Sequence, residues 1–373
     1  MRTVLVTGGA GFVGSFVVDR LVASGQAVRI LDSLDPQVHP AGPPSYLNAH
    51  AELVQGDIRD RACVERALEG VDAVVHCAAA VGVGQSMYQV ERYVDVNVRG
   101  LATLLDVLVQ QKHPLQRLVL ISSMTQYGEG LYRRVSNGEF VRANVRGQAD
   151  IAAHGWEPTC PITGEHVEPA ATPEDAALLA SNPYALTKRY QEELALTVGQ
   201  LHALPTVCLR MFNVYGPRQS LANPYTGVLA IFLSRIRAGG VPVIYEDGGQ
   251  TRDFISVHDV ASAIELAIDA PGCDGQVINL GSGIPRRILD IASELDRLCG
   301  RDGGRIAASG KFRHGDVRHC YADTTKARAL LGFTPTIAWE RGLADLVEWS
   351  ATAGSDDKFD AAEAELLARG LVT

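Results

Sequence analysis

Apolar and polar positions alternate along the chain in a regular order. Thr3-Val4-Leu5-Val6 is a short apolar run, Thr7 to Gly11 a turn, and Phe12, Val13, Phe16, Val17 and Leu21 carry the spacing of one helix face. Gly25 predicts a helix stop, and Val28-Arg29-Ile30-Leu31 a second strand ending at Asp32. Residues 53–57 and 71–79 predict a third and a fourth strand, with a helix over 61–68 between them. The rhythm continues with a helix near 93–110, a strand at 118–122, a helix near 184–199 and a strand at 206–210. Strands apolar on both faces and separated by single helices predict a parallel sheet covered on two sides, an α/β arrangement.

Two stretches break this rhythm. Residues 129–182 are polar, with scattered Pro and Gly, and fifty residues are long for a connection inside a compact domain. They predict a lid, a flap beside the substrate or a partner surface. From residue 223 a mixed region predicts helices at 227–238, 257–270, 289–298, 324–331 and 337–350, with strands at 243–245 and 276–280. The resulting division is a nucleotide-binding unit over 1–210, with elements near 251–281 returning to it. A smaller lobe follows over 211–350, and the tail 351–373 is expected to end in a surface helix.

Composition narrows the function classes. The 373 residues are 46% hydrophobic, enough for a core, and carry a formal charge of -9, which should repel nucleic acid and anionic membrane surfaces. The seven cysteines are odd in number and contain no CxxC pair, which points to a reducing compartment. No apolar run reaches the 18 or so residues of a membrane span, and the start reads without a signal peptide. A cytoplasmic location is expected, with no nucleic acid and no membrane as partner.

The glycines Gly8-x-x-Gly11-x-x-Gly14 lie between an apolar strand and a helix. Gly8 permits a tight turn, Gly11 lets backbone approach a pyrophosphate, and Gly14 allows close packing of helix on strand; Phe12 and Val13 open that helix. Asp32 ends the next strand where a carboxylate accepts from a ribose 2'-hydroxyl, which favours NAD over NADP. This makes the predicted fold a Rossmann-type doubly wound sheet with a smaller C-terminal substrate lobe. Asp57 is expected beside the adenine, or else capping the following helix, and Ile58 to pack on the ring.

Tyr184-x-x-x-Lys188 places a phenol and an ammonium on one face of a helix. A tyrosine is a poor base at its free pKa near 10, and a neighbouring ammonium favours the phenolate. Ser123 follows an apolar strand and can donate to the same substrate oxygen. The alternative for such a pair is an ordinary surface Tyr and Lys.

From Thr3 to Trp349 the sequence resembles the extended short-chain dehydrogenase/reductase superfamily, in its nucleotide-sugar epimerase and dehydratase branch. Thr7-Gly8-Gly9-Ala10-Gly11-Phe12-Val13-Gly14 is similar to that branch's TGGAGFIG run, and His76-Cys77-Ala78-Ala79 to its HxAA segment over the cofactor. Asn97 and Gly100, the segment Ser122 to Gly128 and the run Asn182 to Lys188 match further motifs. The resemblance implies Tyr184 as base, Lys188 as its partner, Ser123 as third catalytic group, and Ala78, Ala79 and Asn97 as cofactor contacts. Arg210 to Arg218 resembles the RxFNVYGPR block, whose Asn213 would contact a substrate diphosphate. Arg252-Asp253-Phe254 and Gly315-Asp316-Val317-Arg318 resemble blocks whose Arg252 and Arg318 would clamp the two phosphates.

The implied reaction class begins with oxidation of a sugar hydroxyl at carbon 4. Dehydratases of the branch carry Asp-Glu after the residue matching Ser123; here Met124 and Thr125 stand there, and neither moves a proton near pH 7. The same positions speak against decarboxylation and leave 4-epimerisation as the simplest cycle. A 4-reductase, a 4,6-dehydratase variant and a non-catalytic dinucleotide-binding protein are the alternatives. Met124, Thr125, Gln126 and Met211 are expected on the sugar side, and Leu229 and Tyr245 beside the base. The run Asn223 to Phe232 is similar to dTDP-L-rhamnose 4-epimerase-like proteins, whose extended segment carries paired cysteine motifs. Here Cys160 stands between His154 and His166, a spacing poor for zinc, and no metal is expected. A homodimer is implied, through helices near 93–110 and 184–199; Leu101, Leu104, Leu105 and Leu108 fit that pairing or burial against the sheet.

Overall fold

The apolar runs build one parallel sheet of seven strands. In a computed structural model, which describes residues 2–144, 146–225, 227–302, 306–313, 315–353 and 357–372, the order from edge to edge is Gln276–Leu280, Thr206–Met211, Arg117–Ser123, Ala73–His76, Thr3–Thr7, Ala27–Asp32 and Glu52–Gln55. Side chains alternate between the two faces of this sheet. Val4, Val6, Val75 and Val119 join an apolar layer with the helices Phe12–Ala23 and Val257–Asp269, while Leu5, Val74, Leu118 and Leu120 join another with Arg61–Leu68, Gly100–Gln110 and Pro183–Leu201. This two-sided burial makes the fold a doubly wound, Rossmann-like α/β sheet. Strand order reverses at Thr3–Thr7, whose neighbours are Ala27–Asp32 and Ala73–His76. Crevices outside the carboxyl ends of strands at such a reversal are where these sheets bind ligands.

The smaller lobe is built on a second sheet. Thr251–Ser256 lies parallel to Asn213–Tyr215 and to His319–Cys320 and antiparallel to Pro285–Arg287. Its apolar core joins Leu229, Phe232 and Leu233 to Ile291, Leu295, Trp339, Leu343 and Leu346.

The structure departs from the sequence pattern in four places. The helix expected near 93–110 is interrupted by a π-helical turn, Val94–Arg99, a feature that concentrates at functional sites. Residues 243–245 form no strand; Ile244 makes only a single bridge to Ala308. The stretch 129–182 is ordered into an antiparallel sheet of Leu131–Arg134, Phe140–Arg142 and Val167–Ala170 with a helix Gln148–His154. Strands of three or four residues are too short for alternation to register, and its core is small: Tyr132, Val141, Ala143, Cys160 and Val167. The tail helix, Phe359–Ala368, is not free on the surface, because Ala362, Leu366 and Val372 are buried.

Candidate active site

The first turn of the glycine-rich loop is shaped by steric need. Gly8 has φ +69°, and a Cβ there would lie 2.8 Å from the Ala78 nitrogen; a Cβ on Gly14 would lie 2.2 Å from the Gly8 carbonyl oxygen. Gly11 caps the helix Phe12–Ala23 with no side chain, so its first amides are left for an anion. Asp32 receives the Ala10 amide at 3.0 Å and the Leu34 amide at 2.9 Å, which holds its carboxylate at the end of the second strand. Each oxygen keeps a lone pair for a ribose hydroxyl. Loop, uncapped helix and strand-end acid together fit an NAD-type dinucleotide.

Around this cradle, Ala78 donates to Thr7 Oγ1 at 3.3 Å, and Ala79 continues the same wall. Asp57 is held by Arg59, which donates to it from its backbone at 2.8 Å and from its guanidinium; this hydrogen bonding, working against partial burial, keeps the carboxyl below its usual range. The following helix is capped by Asp60 instead. Ile58 is buried beneath Gly100, where a Cβ would approach its Cγ2 to 2.7 Å. Asn97 requires a correction. It is fully buried, accepts from the Ala80 amide at 2.7 Å and donates to the Ala80 carbonyl and Thr187 Oγ1. Its side chain is spent on shaping the wall from behind, and its carbonyl accepts both the Gly100 amide and the Gln191 side-chain amide, the latter at 2.8 Å.

Ser123 ends the strand beside the central one and Tyr184 opens the helix Pro183–Leu201, which Asn182 caps by accepting from the Ala185 amide. Burial pushes the Tyr184 phenol up to about 12, and the Ser123 hydroxyl only partly offsets this. Burial also pushes the Lys188 ammonium down to about 8, and it donates to the Ile121 carbonyl at 2.9 Å. The lowering expected from the lysine is not what acts on the phenol: burial dominates, and Ser123 is the group that opposes it. Thr125 Oγ1 lies 3.0 Å from Ser123 Oγ, and Met124 and Met211 are buried at the same strand ends.

Other expected substrate contacts are redirected. Gln126 is fully buried and gives its amide to Ser122, the Ser123 carbonyl and Glu192, so it does not face the sugar. Glu192 also grips Arg210 in a bidentate pair, and Arg210 donates to Tyr127. This buried network sets the strand ends. Leu229 is 1% exposed and belongs to the core of the smaller lobe. Asn213 donates to the Asp253 carbonyl at 3.1 Å, and Tyr245 to Glu363 at 3.1 Å. Thr226 lies outside the described residues.

The two arginines expected as phosphate clamps differ. Arg318 is 1% exposed, and its guanidinium is consumed by Glu157, Glu246 at 2.8 Å and Asp247 at 2.6 Å. With three carboxylates around it, Arg318 has no donor left for a phosphate, and we correct its role to structural. Arg252 pairs with Asp316 at 3.0 Å and donates to the carbonyls of Thr251, Arg318 and Val317, so its terminal nitrogens are engaged and its Nε is what remains for a phosphate. A further guanidinium, which the sequence motifs did not single out, is Arg313. It pairs with Asp316 at 3.0 Å, lies 5.7 Å from the Tyr245 ring centre, and its shielded Nε has no hydrogen-bond partner. Although desolvation opposes it, Arg313 and Arg252 hold the carboxyl of the partly buried Asp316 below the usual range. A basic residue two positions before Gly315-Asp316 was the available signal.

The segment 129–182 reaches into this region. Arg146 pairs with Glu129 at 3.2 Å and Glu246 at 2.9 Å and donates to the carbonyls of Trp156 and Asp316. Asp253 ties together the C-terminal blocks by accepting from Ser282, Gly283 and Ala322 amides.

The dinucleotide cradle on a Rossmann-like sheet, with a buried tyrosine, lysine and serine at its strand and helix ends, defines the class: an NAD-dependent enzyme of the Rossmann type. The model of the NAD dependent epimerase/dehydratase family matches residues 4–154 and 158–281, and the chain belongs to that family. Among its relatives is the dTDP-L-rhamnose 4-epimerase of Burkholderia thailandensis, 35% identical over 94% of this chain and 95% of that protein. The dTDP-glucose 4,6-dehydratase of Streptomyces niveus is 30% identical over 93% of this chain and 92% of that protein. The UDP-glucose 4-epimerase of Thermotoga maritima, solved with UDP-glucose, superposes with a TM-score of 0.76 at 29% identity, covering 93% of this chain and 98% of that one.

Proposed function

We propose that the protein catalyses NAD-dependent 4-epimerisation of a dTDP- or UDP-linked hexose or 6-deoxyhexose through a transient 4-keto sugar. The observation that carries this reading is the pair beside Ser123: a buried methionine and a threonine hydroxyl bonded to the serine, where proton transfer at carbons 5 and 6 would need acids and bases. The Burkholderia thailandensis relative supports it. Bound NAD would supply the acceptor and the donor of the carbon 4 hydride, held by Gly8, Gly11, Phe12, Val13, Gly14, Asp32, Asp57, Ile58, Ala78 and Ala79.

Tyr184 would take and return the hydroxyl proton, Ser123 would orient the sugar oxygen, and Lys188 would hold the phenol's surroundings positive. Because burial raises the phenol, removal of its proton relies on positive charge close by once the site is filled. Arg252 and Arg313 would meet the diphosphate, with Asn213 beside them, and Tyr245 would face the base. Residues 1–210 and the elements near 251–281 would carry the cofactor, and 211–350 the nucleotide sugar.

A homodimer is proposed through the helices around 90–99 and 183–201, where Val90, Val94, Leu186 and Tyr190 are exposed. Leu101, Leu104, Leu105 and Leu108 are instead spent on the sheet. No helix among the described residues is long and apolar enough to cross a membrane, and a cytoplasmic site of action is proposed. The test is incubation of purified protein with dTDP- and UDP-sugars without added cofactor. Net conversion to the 4-epimer supports the reading; a requirement for stoichiometric NADPH favours a 4-reductase and removes it.

A further inference from the structure

The carboxy-terminal segment touches both lobes. Toward the smaller lobe, Asp360 pairs with Arg235 at 2.6 Å, and Glu363 takes hydrogen bonds from Tyr245 at 3.1 Å and Lys311 at 2.9 Å. Val372 bridges to the backbone of Arg313. Toward the dinucleotide side, Leu366 lies over Gly84, where a Cβ would meet its Cδ1 at 3.5 Å, and Arg369 stacks 4.5 Å above the Tyr88 ring.

The loop it covers is joined to the catalytic helix. Ser86 Oγ accepts from the Tyr184 amide at 3.1 Å. Tyr88 and Tyr225 share a hydroxyl contact at 2.5 Å, and Tyr225 closes on Gly82, where a Cβ would lie 2.8 Å from its own. One element therefore holds the loop next to the proposed base, the tyrosine proposed for the nucleotide and the backbone of a proposed phosphate arginine.

We propose that the segment 357–372 is a strap across the substrate mouth that positions both ends of the nucleotide sugar, with Glu363 and Leu366 as positioning residues. This rests on the nucleotide-sugar reading above. The strap joins the two lobes through Arg369 on the Tyr88 ring and Glu363 on the Tyr245 hydroxyl. Its Asp360–Arg235 contact is partly solvated, Asp360 being 79% exposed, so salt screens it, and release of the strap to admit substrate must also break the more shielded Glu363–Lys311 pair. Leu366 is buried and returns it to place.

The test uses the full chain with NAD bound. Hydrogen exchange over 357–372 is measured with and without dTDP and UDP, together with steady-state kinetics of Leu366→Ala and Glu363→Gln. Slower strap exchange on adding a nucleoside diphosphate is expected, with KM raised about tenfold in Leu366→Ala and kcat within about twofold. Strap exchange that ignores a bound nucleoside diphosphate overturns the proposal, as does an unchanged KM in a variant whose strap exchanges fast. The wild-type exchange comparison decides the matter even where a variant folds poorly. Failure of dTDP and UDP to protect any segment would instead remove the nucleotide-sugar reading, and the strap's role with it.

Discussion

Lys188 sets function against stability. Its side chain is 3% exposed, it has one hydrogen bond to the Ile121 carbonyl, and burial pushes it from 10.5 down to about 8. The folded chain thus holds this proton less tightly than the unfolded chain. The resulting cost is fully present below pH 8 and fades between pH 8 and 10.5, where the folded form has already released the proton. A displacement of that size is worth about 3 kcal/mol, of which the carbonyl bond returns about 1 kcal/mol. Lys188→Met, similar in length and without charge, is expected to stabilise the NAD-stripped protein by about 2 kcal/mol at pH 7 while lowering kcat sharply. Denaturant unfolding of both proteins at pH 7, 8.5 and 10 measures it, with the gap in midpoint closing toward pH 10. A variant less stable than wild type at pH 7, or a gap indifferent to pH, refutes the reasoning.

Other outcomes follow from the charged network of the smaller lobe. Arg146→Met removes one side of a buried ion pair, a loss of about 3 kcal/mol, and should lower Tm by about 4 °C in differential scanning calorimetry; an unchanged Tm would mean that the segment 129–182 is not pinned by this residue. Glu157 is held near pKa 2, against burial, by His319 and Arg318. Its depressed value contributes stability above about pH 4.5 that is lost as pH falls toward 2, so wild type and Glu157→Gln should converge in urea midpoint over that window. Arg313→Ala should raise KM for the nucleotide sugar by about 10- to 100-fold, while Arg318→Met should act chiefly on Tm. The reverse pattern would return the phosphate role to Arg318.

The parallel sheet was legible because its strands are apolar on both faces and each is followed by one helix; the helix 12–23 and the strand 276–280 fall where the pattern places them. Gly8, Gly14 and Asp32 were legible because steric and hydrogen-bonding demands at a dinucleotide turn admit few residue types. What stayed hidden depends on partners distant in sequence. Arg318 and Arg313 look alike as isolated arginines, and the carboxylates that tell them apart, Glu157, Glu246 and Asp247, are all distant from Arg318 in sequence. Gln126 sits in a motif beside Ser123, yet its direction is decided by Glu192 on another element. The segment 129–182 concealed its strands because each is short and its core is small. The tail's burial rests on Leu366 meeting Gly84, a contact that no local pattern reveals.

The account's central claim is that this site oxidises carbon 4 of a sugar and returns the same hydrogen to the opposite face. A nucleotide sugar deuterated at carbon 4, turned over without added cofactor and read by NMR, tests it directly. Deuterium retained at carbon 4 in both epimers is the predicted result, with no turnover in Tyr184→Phe. Deuterium transferred to carbon 6, or lost to water, would contradict the account.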